Sequence, residues 1–236
     1  MNSVGLENIG LEALISKKAP AWAKRRAPVI VNIAGDTVDE YASLAARLDG
    51  VAGVSGIEVN ISCPNVRKGG LQFGTDPVSA AEVTSAVRGS TSLPVIVKLS
   101  PNVTDIAAIA VAVESAGADA VSLINTVSGM SIDVKRRKPR LGNITGGLSG
   151  PAIKPIALAM VWKVAGCLSI PIIGCGGIMT AEDALEFIMA GATAVEVGTA
   201  NLAGPRTALG IIDGLRQFLQ AEGIAKIAEL RGAARL

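Results

Sequence analysis

Six short apolar runs, rich in β-branched residues and bounded by glycine, proline or polar residues, recur along the chain. Runs of this length and composition predict β-strands that are buried on both faces of a sheet. The predicted strands cover residues 28–35, 56–63, 94–100, 120–125, 170–178 and 194–199. Between them lie alanine-rich segments with helical spacing, at residues 37–48, 77–88, 104–116, 151–166, 180–190 and 205–221. Alternation of this kind predicts a parallel sheet with right-handed crossover connections.

The ends of the predicted helices carry residue types that start and stop helices. The predicted N-caps are Thr104, Thr180 and either Asp36 or Thr37, and the predicted glycines after helix C-termini are Gly117 and Gly191. The two glycines belong to near-repeats, AGADAVSLIN and AGATAVEVGT, at residues 116–125 and 190–199. Each near-repeat predicts a helix end, a left-handed glycine and then a strand.

Six βα units are compatible with an open doubly wound sheet or with part of a (β/α)8 barrel. A dinucleotide-binding sheet requires G-x-G-x-x-G after its first strand, and residues 31–40 lack it. Instead, Gly176, Gly177 and Gly198 follow the last two strands, where barrels commonly build a phosphate site. We therefore predict an α/β fold of the (β/α)8 TIM-barrel type, as a single domain over residues 1–236. At about 30 residues per unit, the first two βα units are expected to be missing.

Composition and charge narrow the class of protein. Apolar residues make up 50% of the 236 residues and the mean hydropathy is +0.47, which allows a sizeable core. No apolar run reaches the roughly 18 uncharged residues that span a bilayer, and the start of the chain lacks a signal-peptide pattern. A net charge of +2 and 3% aromatic residues argue against nucleic-acid binding, and the basic run at 134–140 is interpreted as a solvated loop. We expect a soluble, cytoplasmic protein that binds neither nucleic acid nor membrane.

The chain has no histidine, and its three cysteines, Cys63, Cys167 and Cys175, form no C-x-x-C pair. This excludes His-based catalysis and argues against a disulfide framework, a zinc site or an iron–sulfur cluster held by this chain alone. We therefore predict no metal site. Cys167 and Cys175 are interpreted as structural, and Glu58 and Glu196 as strand residues engaged in ion pairs.

Polar side chains follow several of the predicted strands, at the end where barrels carry their chemistry. They are Asn32, Asn60, Asn65, Lys98, Ser100, Asn125 and Thr126. Each of these asparagines, taken alone, is equally typical of a turn. Together they bring several groups that both donate and accept hydrogen bonds to the same end of the predicted barrel. Such a set suits a planar ligand with alternating N–H and C=O edges, such as a pyrimidine. Lys98 adds a charge suited to a phosphate, a carboxylate or an anionic ring, and the glycine turns favour a cofactor phosphate.

Cys63 lies among these polar residues and is the remaining proton acceptor in a chain without histidine. An ordinary thiol pKa of about 8.5 is suitable for a general base. The alternative is a nucleophilic role for Cys63, although no adjacent base is evident to activate it.

Seven motifs occur in order: NSVGLENIG (2–10), NISCPN (60–65), VKLSPNVTDI (97–106), INT (124–126), NITGGLSGPAIKP (143–155), GCGGI (174–178) and VGTAN (197–201). Together they resemble the catalytic subunit of dihydroorotate dehydrogenases, from Asn2 to about residue 220. SCPN followed by GGLQFGTDP looks like the soluble, NAD-linked heteromeric branch. A serine in place of Cys63 would suggest the membrane-bound, quinone-linked class.

The resemblance implies FMN-dependent oxidation of dihydroorotate to orotate in pyrimidine synthesis, with Cys63 as the base at C5 and hydride transfer from C6 to the flavin N5. The implied substrate-binding residues are Asn2, Ser3, Val4, Gly5, Leu6, Asn60, Asn65, Asn125 and Thr126. The implied FMN-binding residues are Asn32, Asn60, Lys98, Ile124, Gly150, Gly176, Gly177, Gly198 and Thr199. Of these, Ile124, Gly150 and the Asn2–Leu6 segment follow from the resemblance alone.

The resemblance also implies a partner and leaves two alternatives open. In this branch a second subunit with FAD and a [2Fe–2S] cluster passes electrons to NAD+, and a homodimer of catalytic chains is expected within a heterotetramer. One alternative is a truncated barrel that holds no flavin or works only within a complex. The other is a flavin-free, phosphate-binding barrel lyase or synthase, for which only Lys98 could serve as a Schiff-base lysine.

Overall fold

A six-stranded sheet dominates the computed structural model, which describes residues 1–62 and 73–235. The strands are β1 (Ile30–Ile33), β2 (Gly56–Asn60), β3 (Val95–Leu99), β4 (Ala120–Leu123), β5 (Val127–Met130), β6 (Ile132–Asp133), β7 (Lys138–Pro139), β8 (Thr145–Leu148), β9 (Ile172–Cys175) and β10 (Ala194–Glu196). The large sheet has the order β1-β2-β3-β4-β9-β10, and β5–β8 and β6–β7 form two-stranded antiparallel sheets. The order and the intervening helices are those of a partial TIM-type α/β barrel, so the predicted fold class is confirmed.

The helices alternate with the strands of the large sheet. They are α1 (Leu11–Ala13), α2 (Ala19–Trp22), α3 (Val38–Leu48), α4 (Pro77–Arg88), α5 (Ile106–Ser115), α6 (Lys154–Val164), α7 (Ala181–Ala190), α8 (Thr199–Ala203) and α9 (Thr207–Ala221). A π-helical turn spans Leu14–Lys18, and 3-10 turns span Phe73–Thr75, Pro151–Ile153 and Ile227–Leu230. All six helices expected from the sequence are present, and each begins and ends within a few residues of its predicted bounds.

The six predicted strands are also present, but burial on both faces holds only for some of them. All residues of β2 and β4 are buried, whereas β1 alternates between exposed and buried positions. Ile30 of β1 is 49% exposed, and Ala194 of β10 is exposed. Because β1 and β10 end the strand order, each has one hydrogen-bonded neighbour among the strands of the described residues. The prediction of two buried faces was therefore wrong for these two strands.

The helix caps follow the sequence except at one position. The side chains of Thr37 and Thr180 accept hydrogen bonds from backbone N–H groups in the first turns of α3 and α7, as predicted. At α5 the predicted N-cap Thr104 is wrong, because the carboxylate of Asp105 accepts from the N–H of Ala107 instead. Both residue types cap helices well, so the sequence alone could not choose between neighbours.

Several short elements were not predicted. They are the helical turns at residues 11–22, the antiparallel pairs β5–β8 and β6–β7, and the short helix α8. The antiparallel strands have two to four residues each and are rich in glycine or exposed basic side chains, so they lack the apolar pattern that identifies a strand.

The described residues form two compact units. One, here called the β1–β3 unit, contains residues 5–99 and 105–121. Its core includes Tyr41, Leu48, Ile57, Val59 and Leu99. The other, the β9–β10 unit, contains residues 1–4, 100–104 and 122–236, and its core includes Ile153, Val161, Ile172 and Phe187. The single-domain organisation stays a prediction. In neither unit do the described residues include a helix that is both long and apolar enough to span a membrane.

Candidate active site

Three neighbouring strands carry polar side chains at their carboxyl ends. In the parallel register Asn32 is the partner of Glu58, and Asn60 is the partner of Lys98. Because side chains alternate along a strand, residues 58 and 60 of β2 point to the same face. Asn32, Glu58, Asn60 and Lys98 therefore share one face, and together with Ser62 they are called the strand-end cluster below.

Glu58 is the negative centre of the strand-end cluster, and only 8% of the residue is exposed. Its Oε2 accepts a hydrogen bond of 2.5 Å from the carboxamide of Asn32, and its Oε1 lies 3.4 Å from Nζ of Lys98. The side chains of the ion pair are 14% exposed for Lys98 and 10% for Glu58. The predicted ion pair of Glu58 is confirmed, and it holds a charged donor at the carboxyl edge of the strands.

The backbone at the end of β2 is anchored from helix α3. The hydroxyl of Tyr41, a residue only 1% exposed, donates a hydrogen bond of 2.7 Å to the carbonyl of Asn60. Ser62 adds two contacts: its hydroxyl donates to the carbonyl of Lys98 at 3.0 Å, and its N–H donates to the carboxamide oxygen of Asn60 at 3.2 Å. The ring of Tyr41 also meets the ring of Phe73 edge-on, with 5.9 Å between centroids.

Two predicted site residues cannot be located in this cluster. Cys63 and Asn65 follow Ser62 in the chain, but both lie outside the described residues 1–62 and 73–235. Their roles as base and substrate contact stay predictions.

Replacing Tyr41 by phenylalanine should lower the free energy of unfolding by about 1–2 kcal/mol, because it removes a buried hydrogen bond while keeping the ring. Urea denaturation of the two proteins would measure the difference. The contact with Phe73 is preserved in this variant, so the loss reports the hydroxyl alone. An unchanged unfolding midpoint would contradict the anchoring role.

The turns after β8 and β10 form a second polar surface, made of Ser149, Gly150, Gly198 and Thr199 and called the glycine-turn cluster below. The hydroxyl of Thr199 donates to Oγ of Ser149 at 2.9 Å. A Cβ added to Gly150 would lie 3.8 Å from Cγ2 of Thr199, and one added to Gly198 would meet no atom within 4 Å. Two hydroxyls and two bare glycine backbones thus border open space, which fits the phosphate of a cofactor such as FMN.

Gly176 and Gly177 follow β9 and have positive φ values of 132° and 78°. A Cβ on Gly176 would lie 2.8 Å from Cβ of Ala157, and one on Gly177 would lie 2.8 Å from both Cβ and N of Lys154. Conformation and packing therefore both require glycine at the two positions. Close packing of backbone against α6 explains the GCGG sequence as well as a ligand does.

Lys154, at the start of α6, was not among the predicted site residues. Its Nζ lies 2.7 Å from Oδ1 of Asp183 and 2.9 Å from Oε1 of Glu186. These hydrogen bonds raise the pKa of Lys154 above its ordinary value. Burial raises the pKa of Asp183, but hydrogen bonds from Lys154 and from the N–H groups of Met179 and Thr180 outweigh it and hold this pKa below its ordinary value.

The lowered pKa of Asp183 predicts a loss of stability in acid. Its contribution to the free energy of unfolding is fully present above the unfolded pKa of about 3.9 and is lost as the pH falls through the folded value. Asp183→Asn should therefore flatten the fall in stability below about pH 4, as measured by urea unfolding at several pH values. Asp213→Asn is the control, because the side chain of Asp213 is 65% exposed. An equally steep loss of stability at low pH in Asp183→Asn and in the wild type would contradict the stabilising role of the Asp183 carboxylate.

The segment after β4 carries three predicted site residues. Ile124 is buried, and its N–H donates to the carbonyl of Cys175 at 2.8 Å. The carboxamide oxygen of Asn125 accepts from the N–H of Thr126 at 2.7 Å. Both Asn125 and Thr126 are partly exposed, and their role in ligand binding stays a prediction.

Asn102 was missed by the sequence reasoning and supports this segment. Its Nδ2 donates to the carbonyl of Thr126 at 3.1 Å, and its Oδ1 accepts from the N–H of Ser128 at 2.8 Å. The signal was present in the sequence, because Asn102 follows the Ser100–Pro101 turn directly after a strand.

The predicted substrate segment at Asn2–Leu6 lies largely on the surface. Asn2 forms a two-way backbone bridge with Gly147, at 3.0 and 2.9 Å. Ser3 is partly exposed and Gly5 is exposed, while Val4 and Leu6 are 72% and 43% exposed. The role of this segment as a substrate contact stays a prediction.

The two cysteines interpreted as structural both lie in the β9–β10 unit. Cys167 is exposed, with Sγ 3.2 Å from the carbonyl of Val164, and Cys175 is partly exposed. The basic residues of the run at 134–140 are exposed, as expected, although Lys138–Pro139 forms strand β7 and is not part of a loop. Within residues 1–62 and 73–235, no group of three or more His, Cys, Asp or Glu residues could hold a metal ion.

A partial α/β barrel with polar strand ends and glycine turns after its last strands is typical of barrel enzymes that bind phosphate-containing ligands. The chain belongs to the dihydroorotate dehydrogenase family, whose sequence profile matches residues 1–219. The family expected from the seven motifs is thereby confirmed.

Among its relatives are proteins named "Dihydroorotate dehydrogenase B (NAD(+)), catalytic subunit". The chain is 60% identical over 234 residues to the one from Desulforudis audaxviator (strain MP104C). It is 60% identical over 236 residues to the one from Desulforamulus reducens and 56% identical over 236 residues to the one from Geotalea daltonii. The alignments cover 99%, 100% and 100% of this chain and 76%, 78% and 77% of the relatives. The chain thus spans about three quarters of the length of these relatives.

Proposed function

We propose that this chain is an oxidoreductase that converts dihydroorotate to orotate in pyrimidine biosynthesis. The observation that carries the proposal is the 60% identity, over 99% and 100% of the chain, to two catalytic subunits named for this activity. The polar strand ends support it, because their carboxamides and charged donor suit a pyrimidine-like ring and an anionic group.

The reaction removes a proton from C5 and a hydride from C6 of dihydroorotate, and a C5=C6 double bond forms. FMN, held by the contacts proposed below, would supply the hydride acceptor at its N5. Cys63 is the proposed base that takes the C5 proton and later releases it to solvent. A thiol is the suitable group in a chain without histidine, since its ordinary pKa of about 8.5 lies close to working pH.

The substrate contacts are proposed to come from side chains that pair with the ring edges and from the N-terminal segment. They are Asn2, Ser3, Val4, Gly5, Leu6, Asn60, Asn65, Asn125 and Thr126. A carboxamide can donate to a ring carbonyl and accept from a ring N–H, so asparagines can fix the ring in one orientation. Fixed orientation aligns the C5 proton with the base and the C6 hydride with the cofactor.

The proposed FMN contacts are of two kinds: polar or charged side chains, and backbone groups at glycine turns. They are Asn32, Asn60, Lys98, Ile124, Gly150, Gly176, Gly177, Gly198 and Thr199. Lys98, held by Glu58 at 3.4 Å, supplies a positive charge to the ring. The glycine-turn cluster supplies hydroxyl and backbone donors to the phosphate, around open space beside Gly198.

The electrons are proposed to leave through a second subunit that carries FAD and a [2Fe–2S] cluster and reduces NAD+. The relatives are named as NAD(+)-linked catalytic subunits, which supports a separate partner. Two catalytic chains are proposed to pair within a heterotetramer in the cytoplasm.

The dependence of the activity on the electron acceptor tests whether a second subunit is needed to reduce NAD+. The chain supplied with FMN should oxidise dihydroorotate with an artificial dye as acceptor but not with NAD+. Addition of a purified subunit that carries FAD and a [2Fe–2S] cluster should restore NAD+ reduction. NAD+ reduction by the chain alone would contradict the partner, and no orotate with either acceptor would contradict the dehydrogenase itself.

A further inference from the structure

We propose that Lys154 and Asp183 form a positioning pair that holds two glycine turns in the geometry required to bind a phosphate. The first turn is Gly150–Ile153, and the second is Gly176–Thr180. The proposal rests on the proposed FMN function, because it assigns the two turns to the phosphate end of that cofactor.

Packing of backbone against backbone joins the two turns. A Cβ on Gly177 would lie 2.8 Å from N of Lys154 and 2.9 Å from the carbonyl oxygen of Gly150. The N–H of Ile153 donates to the same carbonyl at 3.1 Å, which closes the first turn. The second turn therefore rests directly on the first, with no side chain of its own between them.

Hydrogen bonds to one carboxylate fix the far side of the second turn. Oδ2 of Asp183 accepts from the N–H of Met179 at 2.8 Å and from the N–H of Thr180 at 2.9 Å. Oδ1 of the same carboxylate accepts from Nζ of Lys154 at 2.7 Å. Because Lys154 directly follows the first turn, one side-chain pair links both turns across 29 positions of sequence.

Lys154 is a positioning residue and not a phosphate ligand. Its ammonium also lies 2.9 Å from Glu186, so two carboxylates already oppose its charge. The side chain of Lys154 is 27% exposed and that of Asp183 is 14% exposed, which limits screening by water. The pair orders the backbone N–H groups of the two turns before a ligand binds. Preorganisation of this kind raises the affinity for the ligand.

The phosphate end can be separated from the ring end by comparing two flavins. Riboflavin has the same ring as FMN and no phosphate. Lys154→Met should weaken FMN binding at least tenfold while riboflavin binding stays within about twofold. Titration of the purified protein with each flavin, followed by quenching of flavin fluorescence, measures both dissociation constants.

The controls distinguish positioning from general destabilisation. Lys163→Met places the same substitution on the same helix at an exposed position and should leave both affinities unchanged. Lys154→Arg keeps a charged donor and should restore most of the FMN preference. Asp183→Asn is the second variant should Lys154→Met fail to fold, and it should also lower the preference for FMN.

Two results would overturn the proposal. Equal losses of FMN and riboflavin affinity would show that the pair acts on the fold as a whole, and unchanged FMN affinity would show that the turns are held without it. A wild type that binds FMN no better than riboflavin would instead contradict the assignment of the turns to the phosphate, which is a failure of the proposed function. A wild type that binds FMN selectively, with the preference intact in Lys154→Met, would refute only the positioning pair.

Discussion

Cys63→Ser should slow the anaerobic reduction of bound flavin by dihydroorotate by about 10²–10⁴-fold, the usual contribution of a general base. A serine hydroxyl is a far weaker acid than a thiol, so little of the ionised form is available to take the C5 proton. The flavin should remain bound, because the proposed cofactor contacts do not include residue 63. Stopped-flow absorbance of the flavin band measures the rate directly.

The matched control is Cys167→Ser, since Cys167 is exposed on the β9–β10 unit and has no proposed role. In the wild type, the rate should rise with pH towards the ordinary thiol pKa of about 8.5, and the serine variant should lose that rise. Equal reduction rates in wild type and Cys63→Ser would remove the cysteine from the mechanism.

Lys98→Met should abolish flavin retention and also lower the free energy of unfolding by about 3 kcal/mol, because it leaves the carboxylate of Glu58 buried without its cation. The two side chains are largely buried, at 14% and 10% exposed, and removing one partner of a buried ion pair is strongly destabilising. Flavin content after gel filtration and urea denaturation measure the two effects separately.

A double variant separates the structural role of Lys98 from its role in binding. Glu58→Gln with Lys98→Met removes both charges while the glutamine keeps an oxygen that can accept from the carboxamide of Asn32. Its stability should return close to that of the wild type, but flavin retention should stay lost. Recovery of flavin together with stability would mean that Lys98 supports the fold and does not contact the cofactor.

The strand-end cluster was largely predictable from local sequence. Asn32, Asn60 and Lys98 each end an apolar run, and parallel strands place their carboxyl ends at one edge of the sheet. The ion pair of Glu58 was also expected, because a charged residue inside a buried strand needs a partner.

Residues that act across long sequence distances were not predictable in this way. Tyr41 is an apolar-face residue of α3, and its bond to Asn60 arises only when that helix packs on the sheet. Lys154 and Asp183 are 29 positions apart and meet through the packing of α6 against α7. Burial of β1 and β10 depends on the strand order, which no single strand sequence contains.

An anaerobic titration of the FMN-loaded protein with dihydroorotate is the most direct test of the proposed activity. One equivalent of substrate per bound flavin should bleach the flavin band and yield one equivalent of orotate. A protein that takes up no FMN, or one whose flavin keeps its colour in excess dihydroorotate, would contradict it.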